Sequence, residues 1–187
     1  MTKSVVSGVA GSARILRLAG HELAKAEDHG KRLDHTGKMR QVREASPITT
    51  SGLDLVALRE AHVAGAMVPR GKTAALHMLV QFPTQLLNEP NPEWMLKHAR
   101  AFAETVFGKR SIFADRVDRD EAGLHVVDLF LAPRYFKKTK HVEQEAVSIS
   151  KHMKDLAINQ GLLDAYNEKY EKKVDTPNLW IVARQLR

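Results

Sequence analysis

The residues best suited to chemistry lie in one short run, Asp118-Arg119-Asp120-Glu121-Ala122-Gly123-Leu124-His125-Val126-Val127-Asp128. It holds four carboxylates and one imidazole, between an apolar lead-in (Ile112-Phe113-Ala114) and an apolar continuation (Leu129-Phe130-Leu131-Ala132-Pro133). An acidic turn between two apolar strands gathers oxygen and nitrogen donors in a small space, which is what a divalent metal needs. A solvated hairpin turn reads the same way, because Asp and Gly favour turns for local hydrogen-bonding reasons. Both readings place the run at a turn and predict strands at 111–118 and 125–132.

What positions that turn is an alternation of strands and helices. Small, apolar and basic residues over 3–18 fit a strand and a loop, and Lys72–Phe82 (KTAALHMLVQF), stopped by Pro83, fits a central strand. Residues 54–64 have helical spacing, with Thr50 or Ser51 as candidate caps. The clearest helix starts with Asn91 as N-cap and Pro92 in its first turn, and Gly108 closes it after Phe107. Trp94, Met95, Ala99, Phe102, Val106 and Phe107 make its apolar side. Residues 20–43 are polar and basic with no continuous apolar stripe, so part of the segment is expected as a surface loop. Beyond Pro133 a basic, aromatic stretch leads into helices expected at 142–159 and 162–172. The expected class is α+β: an antiparallel sheet with helices packed on one face, in a single domain 1–187 ending in a helical segment from about 142.

Composition narrows the partners. The 187 residues carry 29 Lys and Arg against 22 Asp and Glu, a formal charge of +7, which favours a polyanion. With no cysteine, disulfides, thiolate ligands and a cysteine nucleophile are excluded, and a cytoplasmic location is expected. No apolar run approaches the roughly 20 residues that span a bilayer. Gly71-Lys72-Thr73 imitates the end of a phosphate loop, but Gly65 lies one residue too far upstream and Pro69 interrupts the run, so no nucleotide cofactor is expected. Lys31 and Arg32, and the cluster Lys137, Lys138 and Lys140 beside Tyr135 and Phe136, are the candidate DNA contacts.

This order of elements resembles the relaxase domain of plasmid mobilisation and recombination proteins of the Mob/Pre type. That family carries a hairpin of the form His-x-Asp-Glu-x-x-Pro-His-x-His. Here Asp120-Glu121 and His125 fall on the Asp-Glu and the first downstream His; Asp118 stands for the leading His, Leu124 for the Pro and Val127 for the last His. The family's His-Asn-x-Arg motif is matched by His21-Glu22-Leu23-Ala24-Lys25, with Glu for Asn. The resemblance implies an HUH-type antiparallel sheet that presents a divalent ion, Mn or Mg, and nicks one DNA strand at an origin through a covalent protein–DNA link. It assigns His21 as nucleophile, Glu121 with Asp120 as the acid–base pair, and Asp118, His125 and Asp128 as metal ligands. In a regular strand His125 and Val127 share a face and Asp128 points to the other, so Asp128 joins that set only across a β-bulge.

Two functional classes follow. One is a metal-assisted DNA strand-transferase acting on single-stranded or hairpin origin DNA, retaining His21, Asp120, Glu121 and His125. The other is a DNA-binding module of the same fold with an impaired metal site, serving replication or regulation. A structural domain is a third reading, with the basic charge against it.

Overall fold

In the computed structural model, which describes residues 12–83, 91–140 and 143–149, the order of elements is as follows. Strand β1 (Ser12–Ala19) runs into helix α1 (Gly20–Gly30), followed by α2 (His35–Arg40), α3 (Leu55–Val63), β2 (Thr73–Gln81) and α4 (Pro92–Phe107). Then come β3 (Ile112–Arg116), β4 (Val126–Leu131), β5 (Arg134–Lys138) and β6 (Glu143–Val147). β1, β2, β4 and β3 form one sheet in that spatial order, every neighbouring pair antiparallel, and β5 pairs with β6 in a second, two-stranded sheet.

Strand alternation sorts the side chains onto two faces. Leu76, Met78 and Val80 of β2 and Val127, Leu129 and Leu131 of β4 pack against Met95, Leu96, Ala99, Ala103 and Phe107 of α4. Each Val, Leu, Met or Phe among them stabilises the fold by about 1.5–3 kcal/mol when fully buried. Ala75, Ala114 and Phe130 face the other way, onto Leu23 of α1 and Leu55 of α3. The sheet is therefore covered on both sides: α4 lies on one face as expected, and α1 with α3 on the opposite one. The expected capping of α4 holds in detail. The Asn91 side chain accepts a hydrogen bond from the Trp94 amide at 2.8 Å, Pro92 sits in the first turn, and Gly108 ends the helix at φ 93°.

Three expectations need correction. The loop expected within residues 20–43 is confined to 31–34 and 41–43, and the rest forms two helices, because α1 needs only Leu23 and Ala26 to dock on the sheet and its remaining face stays polar. A helix from 142 is replaced, over Glu143–Val147, by strand β6, whose Ala146 and Val147 are buried. The rest of that helix, the expected helix at 162–172 and the strand residues before Ser12 lie outside the described residues. Trp94 is not core: it is 41% exposed and meets Phe82 and His98 at the surface.

Candidate functional site

The hairpin between β3 and β4 lies against the C-terminal end of α1, and two arginines organise it. Arg116, the last residue of β3, is opposite Asp128 on β4 and is only 3% exposed. Its Nη2 donates to Asp128 Oδ2 at 3.2 Å, its Nε lies 3.0 Å from Asp118 Oδ1, and its Nη1 donates to the Ala26 carbonyl on α1 at 3.4 Å. Gly30 makes room for it: a Cβ there would fall 1.9 Å from Arg116 Nη1. Asp128 also takes a hydrogen bond at 2.7 Å from Nε2 of His77, whose ring stacks on Phe130 with centroids 4.7 Å apart. The burial of Asp128 pushes its carboxyl up, but the hydrogen bond from His77 and the Arg116 charge outweigh that and hold it below the usual carboxylate range.

Arg32 clamps the tip of the hairpin. Its Nε and Nη2 grip both oxygens of Asp120 at 2.8 and 2.5 Å, Nη1 lies 3.0 Å from Glu121 Oε1, and Nη2 lies 3.3 Å from Asp118 Oδ1. This fork-to-carboxylate geometry is the strongest form of such a pair. It holds the Asp120 carboxyl below its ordinary value, while burial raises that of Asp118 despite both arginines. Arg32 is also the one non-glycine among the described residues with positive φ, 57°. A left-handed backbone costs an L-residue about 1–2 kcal/mol, so the ion pairs hold a conformation the chain would otherwise avoid. Main-chain contacts extend the clamp: the Val42 amide donates to the Asp120 carbonyl at 2.8 Å, and Arg43 Nη1 donates to the carbonyls of Arg119 and Glu121.

Of the residues expected at the site, Asp118, Asp120, Glu121 and Asp128 do come together, but on guanidinium groups. His125 lies one residue before β4, its Nε2 buried without a hydrogen bond, and Val127 is wholly buried in the apolar core. Asp118 Oδ1 and Glu121 Oε1 likewise lack a hydrogen bond of good geometry, yet each lies within 3.5 Å of an arginine nitrogen. No group of three or more His, Asp or Glu side chains among the described residues converges as a metal would require. The residues present therefore do not fit the divalent ion that the sequence motif implies. His21 is exposed in the first turn of α1 and makes no hydrogen bond or ion pair with Asp118, Asp120 or Glu121.

The expected DNA contacts divide sharply. Lys31 is held by Glu27 and Asp54, each at 2.6 Å, and Arg32 is committed to the acidic hairpin. On the β5–β6 hairpin Lys138 and Lys140 are exposed, Lys137 is half-buried, and Phe136 projects with 61% of its surface accessible. Lys138 has only a loose partner, Glu143 at 3.6 Å. Arg116 and His77 are the two organisers that motif reading missed. An arginine at the end of an apolar strand, opposite an aspartate in the next, was the signal for the first.

Comparison with known proteins agrees with this architecture. No family model and no curated protein matches the chain. Solved structures do. The MobM relaxase domain (MOBV; Mob_Pre), bound to plasmid pMV158 oriT DNA and to Mn at pH 6.8, superposes with a TM-score of 0.59 at 13% identity, covering 95% of this chain and all of that one. A second Mn-bound MobM complex, at pH 5.5, gives 0.56 at 12% identity over 94% of this chain and 86% of its own. A third, with a 23-nucleotide DNA, gives 0.54 at 15% identity over 88% of this chain and 86% of its own. The chain has a relaxase-like fold. Among its described residues no helix is long and apolar enough to cross a membrane.

Proposed function

We propose that this chain binds single-stranded or hairpin DNA at the origin of a plasmid or other mobile element, as a DNA-binding module of the relaxase fold. The observation that carries the reading is the exposed hairpin bearing Phe136, Lys137, Lys138 and Lys140. A projecting aromatic ring among lysines suits a strand whose bases are free to stack and whose phosphates need counter-charge. The relaxase-like fold and the formal charge of +7 support it. Lys31 and Arg32 play a different part, bracing α1, α3 and the acidic hairpin.

The test is a salt series of fluorescence anisotropy with single-stranded, hairpin and duplex oligonucleotides. Affinity should fall steeply as salt rises, because lysines release counterions condensed on phosphates. Neutralising Lys137, Lys138 and Lys140 together should weaken binding and flatten the slope. An affinity flat across the series sinks the reading.

Strand nicking is the second reading, favoured by the exposure of His21 directly after β1. There the His21 imidazole would attack a phosphodiester phosphorus, breaking the bond to the 3′-oxygen of one strand end and keeping the other end as a phosphoramidate, with Glu121 or Asp120 taking the imidazole proton and the freed 3′-oxygen leaving protonated as a hydroxyl. Supercoiled plasmid carrying candidate origins, incubated with Mn or Mg, would then yield nicked circles and a protein–DNA adduct that His21→Ala abolishes. The clamp on Asp120 and Glu121 weighs against it.

A further inference from the structure

We infer that Arg32 and Arg116 are the resident cations of the β3–β4 acidic hairpin and that the chain takes up no divalent metal there. The charge already present argues for this. Arg116 is nearly inaccessible and lies within 3.2 Å of Asp118 and Asp128, and Arg32 shares Asp118 and reaches two more carboxylates, Asp120 and Glu121. Arg40 adds a distant third contact, 3.9 Å from Glu121. A dication entering this space would meet fixed guanidinium groups at contact distance and would have to strip carboxylates of partners they already have.

Donor geometry points the same way. The position that matches the last histidine of the metal motif is Val127, packed among methyl groups on the α4 face of the sheet. Asp128, the nearest carboxylate, is spent on His77 and Arg116 on the opposite face. The regular register of β4 against β2 across Asp128, with no bulge there, keeps it so. The arginines also do something a metal would not. Arg116 reaches back to the Ala26 carbonyl and Arg32 lies two residues past the end of α1, so the pair locks the helix that carries His21 in its first turn onto the hairpin.

Calorimetric titration of the full chain with MnCl2, in the absence of DNA, is the direct test. The wild type should show no saturable one-to-one uptake, and its melting temperature should be the same in EDTA and in Mn. Arg32→Gly removes the clamp at a backbone position that glycine prefers. It should lower the melting temperature, because Asp120 and Glu121 lose their cation, and Mn should not restore it, because the remaining donors among the described residues do not converge on one point. Stoichiometric Mn uptake by the wild type overturns the inference whether or not any variant folds. A folded Arg32→Gly chain that melts at the wild-type temperature overturns it too, since the arginine would then not be the cation that holds the hairpin. Because no DNA is present, neither result bears on whether the chain binds DNA.

Discussion

On one face of the four-stranded sheet Val127, Leu129 and Leu131 meet α4 through methyl groups, while one residue along the same strand Asp128 meets His77 and Arg116 beneath α1. The apolar face gains from area removed from water and tolerates small errors of direction. The polar face gains only if every charge keeps its partner, because an unpaired buried ion costs far more than a pair returns. The first face therefore fixes the fold, and the second fixes which way α1 and the hairpin lie on it. A metal site built on His125 and Asp128 would have needed ligands from both faces of one strand, and the register of β4 against β2 has no bulge at Asp128 to bring them together.

The largest effect should come from breaking the polar face at its centre. Arg116→Leu leaves Asp118 and Asp128 without their shared cation and should cost about 3–5 kcal/mol, read as a shift of the urea midpoint. Adding Asp128→Leu should recover part of that loss, because a buried pair exchanged for apolar groups is often near neutral. If the double variant is no better than the single one, the pair is not what organises this face. On the apolar face Leu129→Ala should cost about 2–5 kcal/mol by opening a cavity. No second substitution on the α1 side should rescue it, which separates the two faces experimentally.

Gly30→Ala probes the polar face at closer range. Alanine is the better helix former, and Gly30 has no left-handed backbone to protect. Its methyl group would nevertheless land 1.9 Å from Arg116 Nη1. A free arginine would swing aside at little cost, but this one is held by Asp118 and Asp128. The variant should lose about 1–3 kcal/mol, the usual range for overpacking. A gain in stability would mean that Arg116 is not held as the ion pairs imply.

These elements were not equally legible in the sequence. Helix α4 announced itself through Asn91, Pro92 and Gly108, whose roles are local and need no partner. Strands β2, β3 and β4 were legible from apolar runs ended by Pro83 and Pro133 and from the acidic turn between them. Helix α1 was not, because only Leu23 and Ala26 face the core while the helix gains its place through Arg116 and Arg32, whose contacts span 90 and 88 residues of chain. Strand β6 was missed for a related reason: Glu143–Val147 has no strand pattern of its own and is held by pairing with β5 and by Met67. Spacing showed which carboxylates lie near one another in the chain, but not that Arg32 and Arg116 reach them.

The finest comparison sets two neighbouring carboxylates on the same arginine against each other. Arg32 grips Asp120 with two hydrogen bonds and lowers its carboxyl, so the ionised form favours folding. That contribution is present above the ordinary carboxylate range near 4 and is lost as pH falls through the lowered value. Asp118 makes no hydrogen bond of good geometry through Oδ1 and has its carboxyl raised, chiefly by burial. Its contribution runs the other way: full below the ordinary range, and lost as pH rises through the raised value. Asp120→Asn should therefore cost about 1–3 kcal/mol at neutral pH, the scale of a charged hydrogen bond, and its melting curve should approach the wild type's in acid. Asp118→Asn should match or slightly exceed the wild type at neutral pH and converge on it below pH 4. Thermal melts of both variants from pH 3 to 8 decide the matter. Should Asp118→Asn prove as costly as Asp120→Asn at neutral pH, the ion pairs of Asp118 to Arg116 and Arg32 outweigh its burial.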